Sequence, residues 1–298
     1  MELWPTMAVR GTPAGGKVEQ SETDGEARQG IASGPPARLG RALRAGVRAA
    51  WDRLGLVMAL SLTFALLLCI PMTVAGLLAA LPAPARNGLV LAVAALTLSA
   101  PMAGAYFVAH LVSTYEEVSY ADMWRGAKRM CGPATRLGLI QCGVLSVLAV
   151  NLWFYVSIGH LLGGIAALLC LYALLAWGMM AVYHFPLLVA QETGLFDEPD
   201  RQARRGALAV LRRAFFLAFG SPFFSAGLLA VVLAFSALVA ATVALIPLLW
   251  LGVVAMLTTQ ATRALLSQYG VLPPPAQEEA VPDEKFRIAD GERPFRKN

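Results

Sequence analysis

Residues 137–191 and 214–262 contain no Asp, Glu, Lys or Arg, giving charge-free runs of 55 and 49 positions. Shorter runs of the same kind cover Leu54–Ala85 (32 residues) and Asn87–Tyr115 (29 residues). A domain of this size in water has to scatter charge through such stretches. In a bilayer the preference reverses, because a charged side chain at a helix centre costs about 2.5–3.5 kcal/mol on insertion scales. The pattern therefore reads as an integral membrane protein.

A membrane-crossing helix needs about 20 apolar residues. Each shorter run holds one span, near 54–81 and 88–113. The two long runs exceed one helix and suit two each. Ser157-Ile158-Gly159-His160 and Gly163-Gly164 break the first into spans near 137–156 and 165–190. Pro247, after Leu245-Ile246, places a tight turn in the second, between spans near 223–245 and 248–266. Six spans is the expected count; five, with one long tilted final helix, is the alternative. The expected fold is an all-α, polytopic transmembrane helix bundle with cytosolic amphipathic connecting helices, occupying residues 37–270. Residues 1–36, rich in Gly, Glu, Ser and Pro, and residues 271–298, opening on Pro273-Pro274-Pro275, read as disordered cytosolic tails. The first apolar run begins only at Leu54, so residues 1–36 lack the pattern of a secretory signal.

Charge sets the orientation. One set of flanks carries fifteen basic residues: Arg38, Arg41, Arg44, Arg48 and Arg53; Arg125, Lys128, Arg129 and Arg136; Arg201, Arg204, Arg205, Arg212 and Arg213; and Arg263. The opposite set carries Arg86 alone. By the positive-inside rule both termini lie in the cytosol, in keeping with an even number of spans. The net charge of +5 sits beside apolar runs, a distribution that belongs to membrane lipid and not to nucleic acid. Hydrophobic residues make up 57% of the chain and charged residues 14%. Average soluble usage is about 25% charged.

Three cytosolic segments resemble one another: residues 38–57, 119–140 and 201–222. Arg-Leu-Gly-Leu occurs at 53–56 and again at 136–139, and in each segment Arg recurs at helical spacing beside Ala, Leu, Met, Trp or Phe. Such helices suit the headgroup layer, apolar side inward and Arg near lipid phosphates. Ser119 and Asp122 form a capping-box pair that starts the second helix. A triplicated helix-plus-hairpin unit around a pseudo-threefold centre explains the likeness; so do ordinary basic inner flanks. Arg204, Arg205, Arg212 and Arg213 are the candidate lipid-headgroup residues, with phosphate binding as the alternative.

The spans are expected to contain no charged side chain, which leaves no buried carboxylate for proton coupling. Glu116 and Glu117 follow the second span and read as a solvated turn. Among the remaining polar residues (His110, Gln141, Asn151, His184 and Gln260), three fall in the cytosolic third of their spans. These three, His110, His184 and Gln260, either line an inward-facing polar cavity or make plain interhelical contacts. Asn151-Leu-Trp-Phe-Tyr155 supplies interfacial aromatic anchors. Pro71, Pro101 and Pro186 each interrupt a span and free a carbonyl. Cys69, Cys131, Cys142 and Cys170 show neither CxxC nor a pairing pattern, so no disulfide or zinc site is expected. Walker A, GxSxG, HExxH and GxGxxG signatures are absent, and no nucleophile–base pair anchors an enzyme. No metal and no cofactor is expected.

The order of several short motifs is familiar. Ala100-Pro-Met-Ala-Gly-Ala-Tyr106 is followed by Tyr120-Ala-Asp-Met-Trp-Arg-Gly-Ala-Lys128, then Asn151-Leu-Trp-Phe-Tyr155, then His184-Phe-Pro-Leu-Leu-Val189. Together, over about residues 38–270, they resemble the YesL-type bacterial integral membrane proteins, a family of unknown function. The resemblance implies a bacterial inner-membrane protein of several helices, associated with carbohydrate uptake and sensing. It carries over no catalytic residue, and the N-terminal tail exceeds the family's pattern. The expected role is a non-enzymatic accessory to solute uptake or membrane signalling, with a permease or sensor kinase as partner. A transporter or channel for a neutral or anionic small molecule is the alternative. Replacing Arg204, Arg205, Arg212 and Arg213 with Gln should weaken both orientation and the grip on anionic lipid. Reporter fusions at the two termini read the orientation directly, and an unchanged pattern gives those arginines another task.

Overall fold

The computed structural model describes residues 37–114, 117–195, 206–242 and 246–272. Residues 1–36 and 273–298 of the expected tails, Glu116, Arg201, Arg204, Arg205 and the turn at 243–245 lie outside the described residues, whereas Val271 and Leu272 pack on the core. Among the described residues eight helices follow one another: α1 (Leu39–Asp52), α2 (Leu54–Leu77), α3 (Ala83–Ser113), α4 (Tyr120–Ile158), α5 (Leu161–Glu192), α6 (Ala207–Gly220), α7 (Pro222–Thr242) and α8 (Ile246–Gln268). Six of them, α2, α3, α4, α5, α7 and α8, are long and apolar enough to cross a membrane. The chain is an all-α bundle with the character of a multi-pass membrane protein.

Several expected boundaries move. The segment 119–140 and the third span are one helix of 39 residues. At 1.5 Å per residue α4 is about 58 Å long, roughly twice the hydrocarbon thickness. The second amphipathic segment is therefore not a separate headgroup helix. Its start is as expected: the Ser119 backbone N–H donates to Asp122 Oδ2 at 2.8 Å, closing the capping box. Pro133 lies inside α4, and Pro71, Pro101 and Pro186 lie inside α2, α3 and α5. None of the four ends its helix, since neighbouring groups in a packed bundle accommodate the freed carbonyls. The α4–α5 break falls at Gly159, whose φ of 71° is the left-handed cap that glycine adopts freely. Gly163 and Gly164 belong to α5. Gly163 is a packing glycine, because a Cβ there would lie 2.9 Å from the Tyr155 carbonyl oxygen. Pro247 sits in the first turn of α8, and not in the turn before it.

The packing follows a threefold order. Each of three long rods (α1–α2, α4 and α6–α7) is followed by a return helix (α3, α5 and α8 in turn). Each return packs on the next rod: α3 on α4, α5 on α6, and α8 on α1 and α2, while the three returns touch one another. The inward face of each rod repeats every 84 residues. Ala42, Gly46 and Ala50 are buried in the first, Gly126, Met130 and Ala134 in the second, Val210, Ala214 and Ala218 in the third. The helix breaks obey the same interval, at Arg53 and Ser221, with Leu137 helical between them. Rod-to-rod contacts agree too: Thr63 and Tyr120 share a hydroxyl hydrogen bond of 2.7 Å, and Gly227 abuts Leu39. Of the two explanations for the similar basic segments, this geometry favours a true repeat. It also revises the placement of α1, which lies along α8. Its Gly46 meets the Leu257 backbone, and the Ala37 N–H donates to Gln268 Oε1 at 3.0 Å.

Small residues set the close approaches. Ala95, Ser99 and Ala103 recur at every fourth position of α3 and are buried. They belong to the seam with α4, where Gly138 lies against Ser99 and Gly104 against Met123 and Ala127. Lipid offers no hydrophobic drive for helices to associate, so backbone proximity of this kind has to hold them. Hydrogen bonds add modestly, at about 0.6 kcal/mol on average: the Gly252 N–H donates to Ser61 Oγ at 3.0 Å, and Tyr183 pairs with Ser225 at 2.9 Å. Gly104→Leu should destabilise by about 1–3 kcal/mol through overpacking. Gly164→Ala, whose Cβ meets nothing within 4 Å, should leave stability unchanged or slightly raised. Thermal unfolding of the two variants in detergent micelles measures the difference.

Candidate functional site

The three return helices bring the sequence-predicted polar residues to one level of the bundle. Tyr106 of α3 stacks on Phe185 of α5, with ring centroids 5.5 Å apart, and its hydroxyl meets the side chain of Thr258 of α8. These contacts fix the relative heights of α3, α5 and α8. His184 lies one residue from Phe185, Gln260 two from Thr258, and His110 four from Tyr106. All three therefore lie within about one helical turn, 5.4 Å, of a shared layer. Arg263, on the turn after Gln260, is within electrostatic reach of His110.

Shared height does not make a shared site. His184 is fully buried, whereas His110 and Gln260 are half-buried. No hydrogen bond joins any two of the three among the described residues. His184 instead meets Trp177 of its own helix edge-on, centroids 5.4 Å apart. Both imidazole nitrogens, the Trp177 indole nitrogen and Thr259 Oγ1 are buried without a hydrogen-bond partner among the described residues. Such a group costs about 1–3 kcal/mol when left unsatisfied. Asn151 is explained more simply, since its amide donates to the Val147 carbonyl at 2.7 Å on its own helix. Trp153 and Phe154 are exposed, as interfacial anchors should be.

The basic candidates divide. Arg212 is exposed, with its guanidinium 5.8 Å from the centre of the Phe216 ring. Arg213 turns to the protein and donates to Gln191 Oε1 at 3.1 Å, on the return helix α5. Arg213 is half-buried and braces α6 against α5; Arg204 and Arg205 lie outside the described residues. Sequence reasoning missed Tyr106, Phe185, Trp177, Thr258 and Thr259. Tyr106 and Phe185 sit inside two of the quoted motifs, but nothing in a single sequence says that they stack. No group of three His, Cys, Asp or Glu side chains among the described residues is arranged to hold a metal ion.

Comparison of the chain with protein-family models, with curated proteins and with solved structures finds no match. The YesL-type resemblance accordingly rests on its four quoted motifs.

A partnerless buried imidazole gives a direct test of what this layer does. Replacing His184 with Leu removes two unsatisfied nitrogens, so a layer with packing duties alone should keep or gain stability. The melting temperature of His184→Leu in detergent should hold or rise. A fall of several degrees shows that the imidazole is satisfied by something bound.

Proposed function

We propose that this chain is a non-enzymatic, multi-pass protein of a bacterial inner membrane, YesL-like, with both termini in the cytosol. It acts as an accessory to solute uptake, carbohydrate among the candidates, or to membrane signalling, by helix-to-helix contact with a permease or sensor kinase. One observation carries this reading: the hydrogen-bonded polar groups within the apolar helices pair between or along helices and do not converge, His184, Trp177 and Thr259 being the unpaired exceptions among the described residues. Tyr183–Ser225, Thr63–Tyr120, Trp250–Ser236 and Ser61–Gly252 are each isolated pairs. The charge-free stretches of these helices carry no carboxylate to couple a proton or position a cation, and Asp122 and Glu192 stand only at the ends of α4 and α5.

The α4–α5 hairpin suits lateral contact. Between Leu139 and Ala176 only Gly163 and Ala167 are buried, and Gly163 packs on the hairpin itself. Trp153, Phe154, Leu161, Leu162, Leu169 and Tyr172 are exposed along it. Lipid covers such a face in the isolated protein, and a partner's span replaces lipid without loss of apolar contact.

A second reading, a transporter or channel for a neutral or anionic small molecule, is favoured by the unsatisfied nitrogens of His184 in the layer of His110 and Gln260. The two readings separate in one experiment. In liposomes holding the purified protein alone, uptake of a panel of neutral sugars and small anions should stay at the level of empty vesicles. Affinity purification from the native membrane should recover a permease or sensor kinase, and Trp153→Ala with Phe154→Ala should reduce that recovery. Flux by the protein alone overturns the accessory role.

A further inference from the structure

The 84-residue interval that places the buried face of each rod also places a cation on its outer face. Arg44, Lys128 and Arg212 stand at equivalent positions, and all three are exposed. In ungapped register no other basic position recurs in all three rods: Arg41 and Arg125 correspond to Ala209, Arg129 and Arg213 to Ala45, and Arg48 to Gly132 and Phe216. Several of the non-recurring cations are already occupied. Arg125 pairs with Asp122 at 2.8 Å, Arg129 donates to the Glu192 carbonyl at 2.9 Å, and Arg213 donates to Gln191. Among the described residues Arg44 and Lys128 make no such contact, and Arg212 meets only the Phe216 ring.

An exposed aromatic shares the face of each recurring cation. Trp51 lies seven residues after Arg44, and its equivalent in the third rod, Phe219, lies seven after Arg212; both are exposed. The second rod has Thr135 at that position and instead exposes Trp124, four residues before Lys128. Spacings of four and seven put the partners on one side of a helix. A cation beside an exposed indole or phenyl ring, at the end of an apolar helix, is the chemistry of the membrane interface: the ring sits among headgroups while the cation meets phosphate.

We propose that the bundle holds three anionic phospholipids, one per repeat, each with its headgroup phosphate on Arg44, Lys128 or Arg212 and its glycerol region against the neighbouring aromatic ring. The proposal rests on the chain being embedded in a membrane and is independent of the accessory role. It goes beyond a general basic flank because it fixes the number of sites and makes them separable. Arg and Lys are not interchangeable in hydrogen-bond geometry, so the site on Lys128 is the weakest of the three and the most sensitive to salt.

Native mass spectrometry of the full chain, released from micelles containing phosphatidylglycerol, counts retained lipids. The wild type should retain up to three. R44Q, K128Q and R212Q should each lower the maximum by one, the triple variant should retain none specifically, and K128R should keep three. Phosphatidylcholine at the same concentration should not be retained, and millimolar inorganic phosphate should not displace phosphatidylglycerol, which identifies the lipid and not its phosphate alone as the ligand. Equal melting temperatures for wild type and triple variant in lipid-free detergent verify that the fold is intact. The proposal is overturned if the triple variant retains lipid like the wild type, if one substitution removes all binding, or if phosphatidylcholine is retained equally. A triple variant that melts several degrees early would assign these cations to packing and overturn it as well.

Discussion

Backbone proximity is the constraint on which the rest of this structure depends. Water drives apolar surfaces together in a soluble core, but acyl chains are as apolar as leucine and give helices no comparable reason to associate. What remains is contact at short range, and short range requires side chains that stay out of the way. Ala95, Ser99, Gly104, Gly126 and Gly138 meet this requirement at the α3–α4 seam, and Gly46 and Gly252 meet it where α8 meets α1 and α2. These seams recur in cyclic order, and they bring the return helices close enough for Tyr106, Phe185 and Thr258 to touch. The polar layer is a product of the seams.

The spans were legible in the sequence for an equally physical reason. Exclusion of charge from hydrocarbon is nearly absolute, so the charge-free runs marked six helices, and only the start of α4 lay far from its expected place. Ser119 with Asp122 announced the start of α4 because capping is local. The continuity of α4 was not legible, because Pro133 and the change from basic to apolar composition both look like a boundary and neither ends a helix inside a bundle. Gly163 misled for a related reason: it packs on the hairpin inside α5, while Gly159 marks the turn itself. The repeat was half visible. Arg-Leu-Gly-Leu at 53–56 and 136–139 drew attention to it but lies 83 residues apart, one short of the interval that burial obeys. Charged residues attract notice in such a search, while the positions that repeat most faithfully are Ala, Gly, Met and Val.

The candidate site shows where reasoning from residue type stops. His110, His184 and Gln260 stand out in the sequence for polarity and expected depth, and the fold brings them near one level of the bundle. Direction was not available, and direction separates a cavity lining from three unrelated side chains. His184 is distinguished from the other two by complete burial and by two unsatisfied nitrogens. Arg213 makes the complementary point, since in sequence it is indistinguishable from Arg212, yet one faces outward and the other braces α5 against α6.

Cyclic closure also bears on how such a molecule is made. Gly46 leaves the ribosome long before its partner Leu257, 211 residues further along the chain. Until α8 arrives, the face of α1 that carries Gly46 lacks the neighbour it packs on, and the nascent ring stands open. An elongation arrest shortly before α8 therefore leaves α1–α7 without the helix that covers Gly46, a conspicuous substrate for membrane proteases that survey unassembled helices.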